Sequence, residues 1–349
     1  MSPAGKLDEY KRKRDFKATP EPAGAVADRD HSRFVIQQHS ATRLHWDLRL
    51  EHDGVLVSWA LPRCVPWNPK ENHLAVRTED HPMEYLDFHG EIPEGSYGAG
   101  TMTVWDTGTF DIEEWEDRKA VVVLHGGRAR GKYALFATRG RDWMIHRMDP
   151  PDDPTRQSAP HDLRPMRATS GTLPKTKGWA FEMKWSGLRT LLVNEPGLVT
   201  LTDEHAADVT AAFPDVRRIG RALGAQEVIL DGVITTAAGA ESVTRRLAAK
   251  SDSTVRKIAK DQPAVFVAFD VLWQDGHECC DVPWTERRDR LEALELDGDH
   301  WRVPNAHVGD GAELADAGRA QDVEALIAKR TKSRYDPGTE SPDWLEIAL

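Results

Sequence analysis

The chain has 349 residues, which fits two ordinary domains, and 40% hydrophobic residues with 12 tryptophans can supply two cores. A formal net charge of −11 excludes a uniformly basic protein, so any contact with nucleic acid has to come from local basic groups. The three cysteines show no metal-ligand spacing, no secretory signal is visible, and no apolar run approaches the roughly 20 residues that span a bilayer. We therefore expect a cytoplasmic protein without membrane contact.

The first 30 residues predict a flexible, polar arm. A basic run occupies residues 11–14, and Pro20, Pro22 and several small residues follow. A short charge run is usually a solvated segment, and it can also contact phosphates. From charge alone we favour the solvated interpretation.

Residues 31–149 predict a small all-β domain. The clearest pattern is a hairpin of residues 44–51 and 55–61, joined by an Asp53-Gly54 turn. Further strands are predicted at residues 33–37, 73–76, 100–105, 119–124, 132–138 and 143–147. Many short strands at this spacing are typical of a barrel or a sandwich, of which we favour the barrel.

One predicted strand combines ionisable groups that suit a metal. Side chains alternate along a strand, so His45, Asp47 and Arg49 share one face and apolar residues occupy the other. We expect His39 to reach this face from a loop. Two imidazoles and a carboxylate suit Mn²⁺, Fe²⁺ or Zn²⁺, and a planar guanidinium fits a phosphate. The pattern predicts metal-assisted phosphoester chemistry.

A second cluster at residues 79–85 adds His81, a potential proton donor, and Tyr85, a potential phosphate ligand. Two alternatives stay open. His81 could complete a two-histidine, one-carboxylate triad of the iron-oxygenase kind, which would leave His39 and Arg49 without a role. An exposed edge strand would satisfy the same polar groups with water.

The second half of the chain changes character. Residues 150–174 predict a linker, because they contain six prolines and no sustained apolar pattern. Beyond it, residues 175–349 mix strand-like alternation with helical patterns, which predicts an α+β domain. The helical patterns cover residues 214–223, 284–294 and 312–328.

The first half resembles the 3′-phosphoesterase domain of bacterial DNA ligase D. The matching motifs include Leu44-His-Trp-Asp-Leu-Arg-Leu50, Glu79-Asp-His-Pro82 and Ile92-Pro-Glu-Gly-Ser-Tyr-Gly-Ala-Gly100, within residues 10–149. The resemblance implies an Mn²⁺-dependent hydrolase, with Zn²⁺ or another divalent ion as alternatives. It would remove a 3′-terminal ribonucleoside from a DNA primer-template by a phosphodiesterase step, and then remove the remaining 3′-phosphate.

The same resemblance implies a role for individual residues. The implied metal ligands are His39, His45 and Asp47. The implied catalytic groups are Arg49, Glu79, His81 and Tyr85. The implied substrate-binding residues are Arg14, Asp15 and Glu21, which match positions linked to the diesterase step, and His73. Because His73 stands where the family often has arginine, contacts to phosphate or ribose there would be weaker.

The second half resembles the nucleotidyltransferase domain of ATP-dependent DNA ligases, through Lys184-Trp-Ser-Gly187 and Leu230-Asp-Gly232 among other motifs. Several family residues are replaced. Ser186 stands for an aspartate, Val233 for a metal-binding glutamate, and Glu346 and Ala348 for lysines.

These replacements remove groups that hold a metal ion and neutralise pyrophosphate. We therefore expect Lys184 and Glu182 to be vestigial, with neither ATP use nor ligase activity. The chain also ends where an OB-fold domain would follow in the family.

The leading hypothesis is therefore a nucleoid-associated DNA repair enzyme of non-homologous end joining, which processes 3′ ends. The resemblance implies partners such as the end-binding Ku protein or a separate ligase or polymerase. Two other functions stay open: a non-catalytic nucleic-acid-binding scaffold of a repair complex, and an active ATP-dependent DNA ligase. Bound Mn²⁺ in the purified protein would argue against the first, and failure to label with ATP would argue against the second.

Overall fold

The computed structural model describes residues 5–27 and 31–349. The chain divides into two compact units, Met1–Pro154 and Thr155–Leu349. Within the described residues no helix is both long and apolar enough to cross a bilayer.

The first unit is a closed antiparallel barrel preceded by a short helix, α1 (Asp8–Arg12). Its strands are β1 (Arg33–Ser40), β2 (Leu44–His52), β3 (Val55–Leu61), β4 (Asn72–Arg77), β5 (Gly90–Ile92), β6 (Gly100–Glu116), β7 (Lys119–Gly126), β8 (Arg130–Ala137) and β9 (Asp142–Arg147). Eight strands follow the order β1-β2-β3-β4-β9-β8-β7-β6, and β6 pairs back onto β1. The remaining strand, β5, pairs with β6. The predicted all-β barrel is confirmed.

The turn between β2 and β3 follows from its two residues. Asp53 and Gly54 have φ angles of 51° and 76°, the left-handed region that a tight Asp-Gly hairpin turn requires. This turn sets the register in which Arg49 lies opposite Ser58. A Cβ at Gly54 would lie 2.2 Å from the carbonyl oxygen of Ala27, so a larger residue would also displace the incoming chain.

Both faces of β2 are buried. The apolar side chains of Trp46, Leu48 and Leu50 on one face are inaccessible to solvent, as the alternation predicts. On the other face Asp47 and Arg49 are buried as well. A short 3₁₀ turn (Met83–Leu86) and the N-terminal segment pack near this second face. Buried charges need partners, and this requirement shapes the site described below.

The prediction of a flexible arm is wrong for residues 5–27. Leu7 and Tyr10 are buried, and Tyr10 packs in one cluster with Val35 and Tyr85. The apolar side chains of this segment anchor it, because burying each contributes on the order of 2 kcal/mol. In the basic run only Lys11 and Arg12 are exposed. Residues 1–4 and 28–30 of the predicted arm lie outside the described residues.

The second unit contains two sheets and five helices among its described elements. Its strands are β10 (Arg167–Ser170), β11 (Trp179–Met183), β12 (Leu188–Glu195), β13 (Leu198–Asp203), β14 (Val228–Thr236), β15 (Ala264–Gln274), β16 (His277–Glu278), β17 (Asp297–Gly298), β18 (Trp301–Arg302), β19 (His307–Val308), β20 (Ala325–Arg330) and β21 (Glu340–Ala348). Its helices are α2 (Ile219–Leu223), α3 (Ala240–Leu247), α4 (Asp252–Asp261), α5 (Trp284–Glu292) and α6 (Ala312–Ala320).

The sheets have the orders β10-β21-β20-β11-β19 and β13-β12-β14-β15-β18-β17, with β16 paired to β15. The buried clusters among the described residues of this unit include one with Phe213 and Phe266, one with Met166 and Trp344, and one with Phe181 and Leu326. Strands and helices alternate along the chain, so the predicted α+β class is confirmed.

Several local predictions differ from the structure; β6 extends to Glu116 instead of ending at residue 105, and α2 begins at Ile219 instead of residue 214. The predicted linker at residues 150–174 contains β10, which pairs in parallel with β21, and the amide of Met166 donates to the Tyr335 hydroxyl at 2.8 Å. The helix predicted for residues 312–328 ends at Ala320, and β20 begins at Ala325. Because β20 pairs on both sides, with β11 and β21, sheet pairing overrides its helical pattern.

Candidate metal centre and phosphate site

Two neighbouring strands bring three metal-binding side chains together. His39 on β1 lies directly opposite His45 on β2, and Asp47 lies two residues further along β2. Cross-strand partners and residues two apart share one face of a sheet, so all three side chains point the same way. The expectation that His39 comes from a loop is wrong, because β1 extends to Ser40.

The three side chains converge at the distances of a metal site. The Asp47 carboxylate lies 3.6 Å from His39 Nδ1 and 3.9 Å from His45 Nε2. One ligand atom from each residue lies within 4.8 Å of the other two. With metal–ligand bonds of about 2.1 Å, adjacent ligand atoms are roughly 3–3.5 Å apart, so small side-chain rotations would accommodate a divalent ion.

Hydrogen bonds to backbone carbonyls determine which ring nitrogen of each histidine is available to bind a metal. His39 Nε2 donates to the carbonyl oxygen of Gly98, and His45 Nδ1 donates to that of Arg43, each at 2.9 Å. A nitrogen that donates carries the proton, so the lone pairs lie on His39 Nδ1 and His45 Nε2, the atoms that face Asp47. Outer hydrogen bonds of this kind orient the histidine ligands of metal ions. The donor set therefore fits a metal of intermediate hardness.

Arg49 is held in place behind this set. Its guanidinium donates to Gln37 at 2.7 Å, to Ser58 at 3.1 Å and to Asp47 at 3.1 Å, and it lies 4.8 Å from the centre of the Tyr85 ring. Burial raises the pKa of Asp47, but the positive charge of the neighbouring Arg49 opposes this effect, and the pKa of Asp47 lies below its usual value. The carboxylate is therefore charged and ready to bind a cation.

His81 is buried and neutral. Burial lowers its pKa well below the usual value, and the positive charges of Arg49 and Arg14 lower it further. Its Nδ1 donates to the carbonyl oxygen of Glu79 at 2.8 Å, which leaves a lone pair on Nε2, 3.3 Å from Arg14 Nη2. In the described part of the chain the metal-binding group is His39, His45 and Asp47, so the structure does not form the alternative triad in which His81 takes the place of His39.

A charged network joins the N-terminal segment to this histidine. Arg14 donates to Glu21 at 2.7 Å and to Glu79 at 2.9 Å, and Lys13 pairs with the other oxygen of Glu79 at 2.9 Å. The Tyr85 hydroxyl also donates to Glu21. Tyr85 thus contacts a carboxylate rather than an open phosphate position. The network brings four of the sequence-predicted residues together around His81.

Two sequence-predicted residues lie elsewhere. Asp15 is exposed, and its carboxylate accepts from the amide of Lys17. His73 on β4 donates from Nδ1 to the carbonyl oxygen of Cys64 at 2.9 Å and lies near Glu71. Within the described residues neither shows a contact with the metal-binding group. Sequence reasoning missed Gln37, although alternation along β1 puts it on the face of His39.

The second unit holds a separate cavity of about 240 Å³ next to Lys184. Lys184 Nζ donates to Glu346 at 2.7 Å, while Glu182 pairs with Lys329 at 3.0 Å. Burial raises the pKa of Glu182, although the Lys329 charge opposes that shift. Val233 lines the same cavity. Lys184 and two of the replaced family positions, Val233 and Glu346, therefore line one pocket.

Both halves match known families. The family described as DNA Ligase D 3′-phosphoesterase domain matches residues 37–137, and the family described as ATP dependent DNA ligase domain matches residues 164–347. The second match covers more than half of the chain.

Curated relatives align along nearly the whole chain. The "Multifunctional non-homologous end joining DNA repair protein LigD" of Mycobacterium tuberculosis is 40% identical over 98% of this chain and 45% of its own length. The LigD protein of Pseudomonas aeruginosa is 31% identical over 98% of this chain and 47% of its own length. The chain therefore spans about half the length of these relatives.

A solved structure titled "mycobacterial DNA ligase D complexed with ATP and MES" aligns with 33% identity and a TM-score of 0.46, covering 55% of this chain and 62% of that chain.

Proposed function

This chain belongs to the bacterial DNA ligase D family, with a phosphoesterase domain followed by an ATP-dependent ligase domain, and we propose that its first unit trims DNA 3′ ends. A phosphodiesterase step would remove a 3′-terminal ribonucleoside, and a phosphomonoesterase step would then remove the remaining phosphate. The product, a 3′-hydroxyl, is the end that a polymerase or ligase needs.

One observation carries this proposal. His39, His45 and Asp47 present three ligand atoms within 4.8 Å of one another, beside the buried cation Arg49. A metal site next to a guanidinium suits a reaction in which negative charge develops on a phosphate. A purely structural cluster would not require both histidines to turn their lone pairs towards the same carboxylate.

Each residue of the site has a separate role in the proposed reaction. A divalent ion held by His39, His45 and Asp47 would supply positive charge that stabilises the phosphate oxygens. Arg49, oriented by Gln37 and Ser58, retains N–H groups beyond its three hydrogen bonds and can donate them to phosphate. Neutral His81 accepts from Arg14 Nη2 through its Nε2 at 3.3 Å and thereby orients that guanidinium. Arg14 neutralises the carboxylates that would otherwise repel the substrate.

We further propose that Mn²⁺ is the working metal and that DNA ends are presented by a partner such as Ku. A bacterial enzyme acting on such ends works in the cytoplasm at the nucleoid. The decisive assay incubates the protein and Mn²⁺ with a primer-template that ends in a single ribonucleotide. We expect stepwise conversion to a 3′-phosphate and then a 3′-hydroxyl, both absent with a chelator. A protein that binds no Mn²⁺ and leaves the end intact would instead support the scaffold alternative.

For the second unit we propose that it does not adenylate itself. The Glu346 carboxylate engages the amine of Lys184 and adds negative charge where a triphosphate would approach. Val233 offers no oxygen to a metal ion. Because the family match suggests ATP use, ATP could still bind in this pocket without adenylating Lys184.

Incubation with α-labelled ATP and Mg²⁺ or Mn²⁺ is therefore expected to leave the wild-type chain unlabelled. A Lys184→Ala variant sets the background, and a Glu346→Lys variant measures how much of the block lies in that carboxylate. A band on the wild type that Lys184→Ala removes would establish the alternative, an active ligase.

A further inference from the structure

Tyr97 is unusual among the aromatic residues of this chain. Its side chain is 50% exposed, whereas Tyr10, Tyr85, Tyr133 and Tyr335 are at most 1% exposed. Of the phenylalanine, tyrosine and tryptophan side chains in the described ranges, Tyr97 alone is exposed. A single exposed apolar side chain is common on protein surfaces, so its significance depends on where it lies.

The loop that carries Tyr97 is tied directly to the metal-binding group. The carbonyl oxygen of the next residue, Gly98, accepts the hydrogen bond that orients His39. Gly98 and Gly95 have φ angles of 78° and 86°, which larger residues adopt only with strain. The backbone therefore keeps the ring close to the candidate phosphate site.

Two cations, Lys13 and Arg14, also lie beside the Tyr97 ring. Lys13 Nζ lies 4.8 Å from the ring centre and 3.4 Å from the hydroxyl, and Glu79 holds that lysine at 2.9 Å. The Arg14 guanidinium, which contacts His81, lies 5.6 Å from the same ring centre. An exposed aromatic ring is thus bordered by positive charge, the combination on which proteins stack single-stranded bases.

We propose that Tyr97 is the stacking platform for the base of the 3′-terminal nucleotide, with Lys13 beside it facing the backbone. This inference rests on the proposed 3′-end processing function, which it extends by assigning a nucleobase subsite. Stacking uses the π-face that every base has, so the subsite would hold the end without selecting its sequence. A base stacked on Tyr97 would place the adjoining phosphate near the metal-binding group of His39, His45 and Asp47.

The kinetic test compares primers that end in a normal nucleotide with primers that end in an abasic one. Tyr97→Leu is expected to lower kcat/KM about tenfold on the normal end, mainly through KM, because the terminal base loses its stacking partner. On the abasic end the loss should be less than about twofold, because that end has no base to stack on Tyr97. Tyr97→Phe keeps the ring and is expected to stay near wild type on both ends. Ile112→Ala, another exposed apolar side chain of this unit, is the matched control.

If Tyr97→Leu lowers kcat/KM equally on both ends, or on neither, the assignment of Tyr97 as a stacking platform is overturned. A binding assay separates that result from failure of the proposed function. A primer with 2-aminopurine at its 3′ end, mixed with the protein under chelator, is expected to lose fluorescence with wild type and Tyr97→Phe but not with Tyr97→Leu. If wild type cleaves no end, 3′-end processing fails; if all variants quench alike, or none does, the stacking role of Tyr97 fails.

Discussion

Replacing His45 by alanine is expected to lower both phosphoesterase steps by at least about 10³-fold, because the variant loses one of three metal ligands and with it the charge that stabilises the transition state. His45 is partly exposed and makes a single side-chain hydrogen bond to Arg43, so folding should be retained. Asp47→Asn should have a similar effect while keeping the shape that Arg49 packs against. Single-turnover rates on the ribonucleotide-ended primer measure the loss, and metal analysis of the purified variants measures its cause.

The same unit offers a matched control. His125 and Asp111 form an exposed histidine–carboxylate pair with a distance of 2.8 Å. His125→Ala and Asp111→Asn remove the same chemical groups away from the site, and both should retain wild-type rates and Mn²⁺ content. A His45→Ala protein that keeps full Mn²⁺-dependent activity would refute the metal assignment.

Replacing Arg14 by alanine is expected to destabilise the first unit by about 3–5 kcal/mol, since it leaves the buried carboxylates of Glu21 and Glu79 without their shared partner. For a unit of this size the melting temperature should fall by on the order of 10 °C. The diesterase step should decline more than the monoesterase step, if the resemblance of Arg14 to family positions holds. Calorimetry and product analysis measure the two effects.

The effect of Arg14→Ala should depend on pH in a defined direction. Burial raises the pKa of Glu79, but Lys13 and Arg14 outweigh it, so this pKa is lowered in the folded protein. The stability from this pairing is present above the unfolded carboxyl pKa of about 4.3 and is lost as pH falls through the folded value. The difference between wild type and variant should therefore shrink as the pH falls below about 4.3 and through the lowered folded pKa of Glu79.

Two further variants make that interpretation testable. Arg12→Ala removes an exposed arginine from the same run and should change stability by less than about 0.5 kcal/mol. Arg14→Ala combined with Glu21→Gln should recover part of the loss, because one uncompensated charge is gone. A destabilisation that persists unchanged at low pH and in the double variant would mean that Arg14 acts through packing alone.

Local patterns in the sequence predicted a large part of this protein. The hairpin of β2 and β3, its Asp53-Gly54 turn and the common face of His45, Asp47 and Arg49 all depend on neighbouring residues, so periodicity and turn preference predicted them. The metal-binding set could be proposed for the same reason. The helix expected at residues 312–328 shows the limit, because pairing with two distant strands converts its second half into β20.

Only the tertiary structure decided how distant segments meet. The N-terminal segment could not be predicted to pack, since its anchors are Val35 and Tyr85, and its charges are neutralised by Glu79, far along the chain. The pairing of Lys184 with Glu346 and the approach of Lys13 to Tyr97 likewise join residues far apart in sequence. The sequence by itself determined which chemical groups each strand presents, because that is a local property of the backbone; the tertiary structure decided which are paired, buried or exposed, because those states depend on segments that only folding brings together.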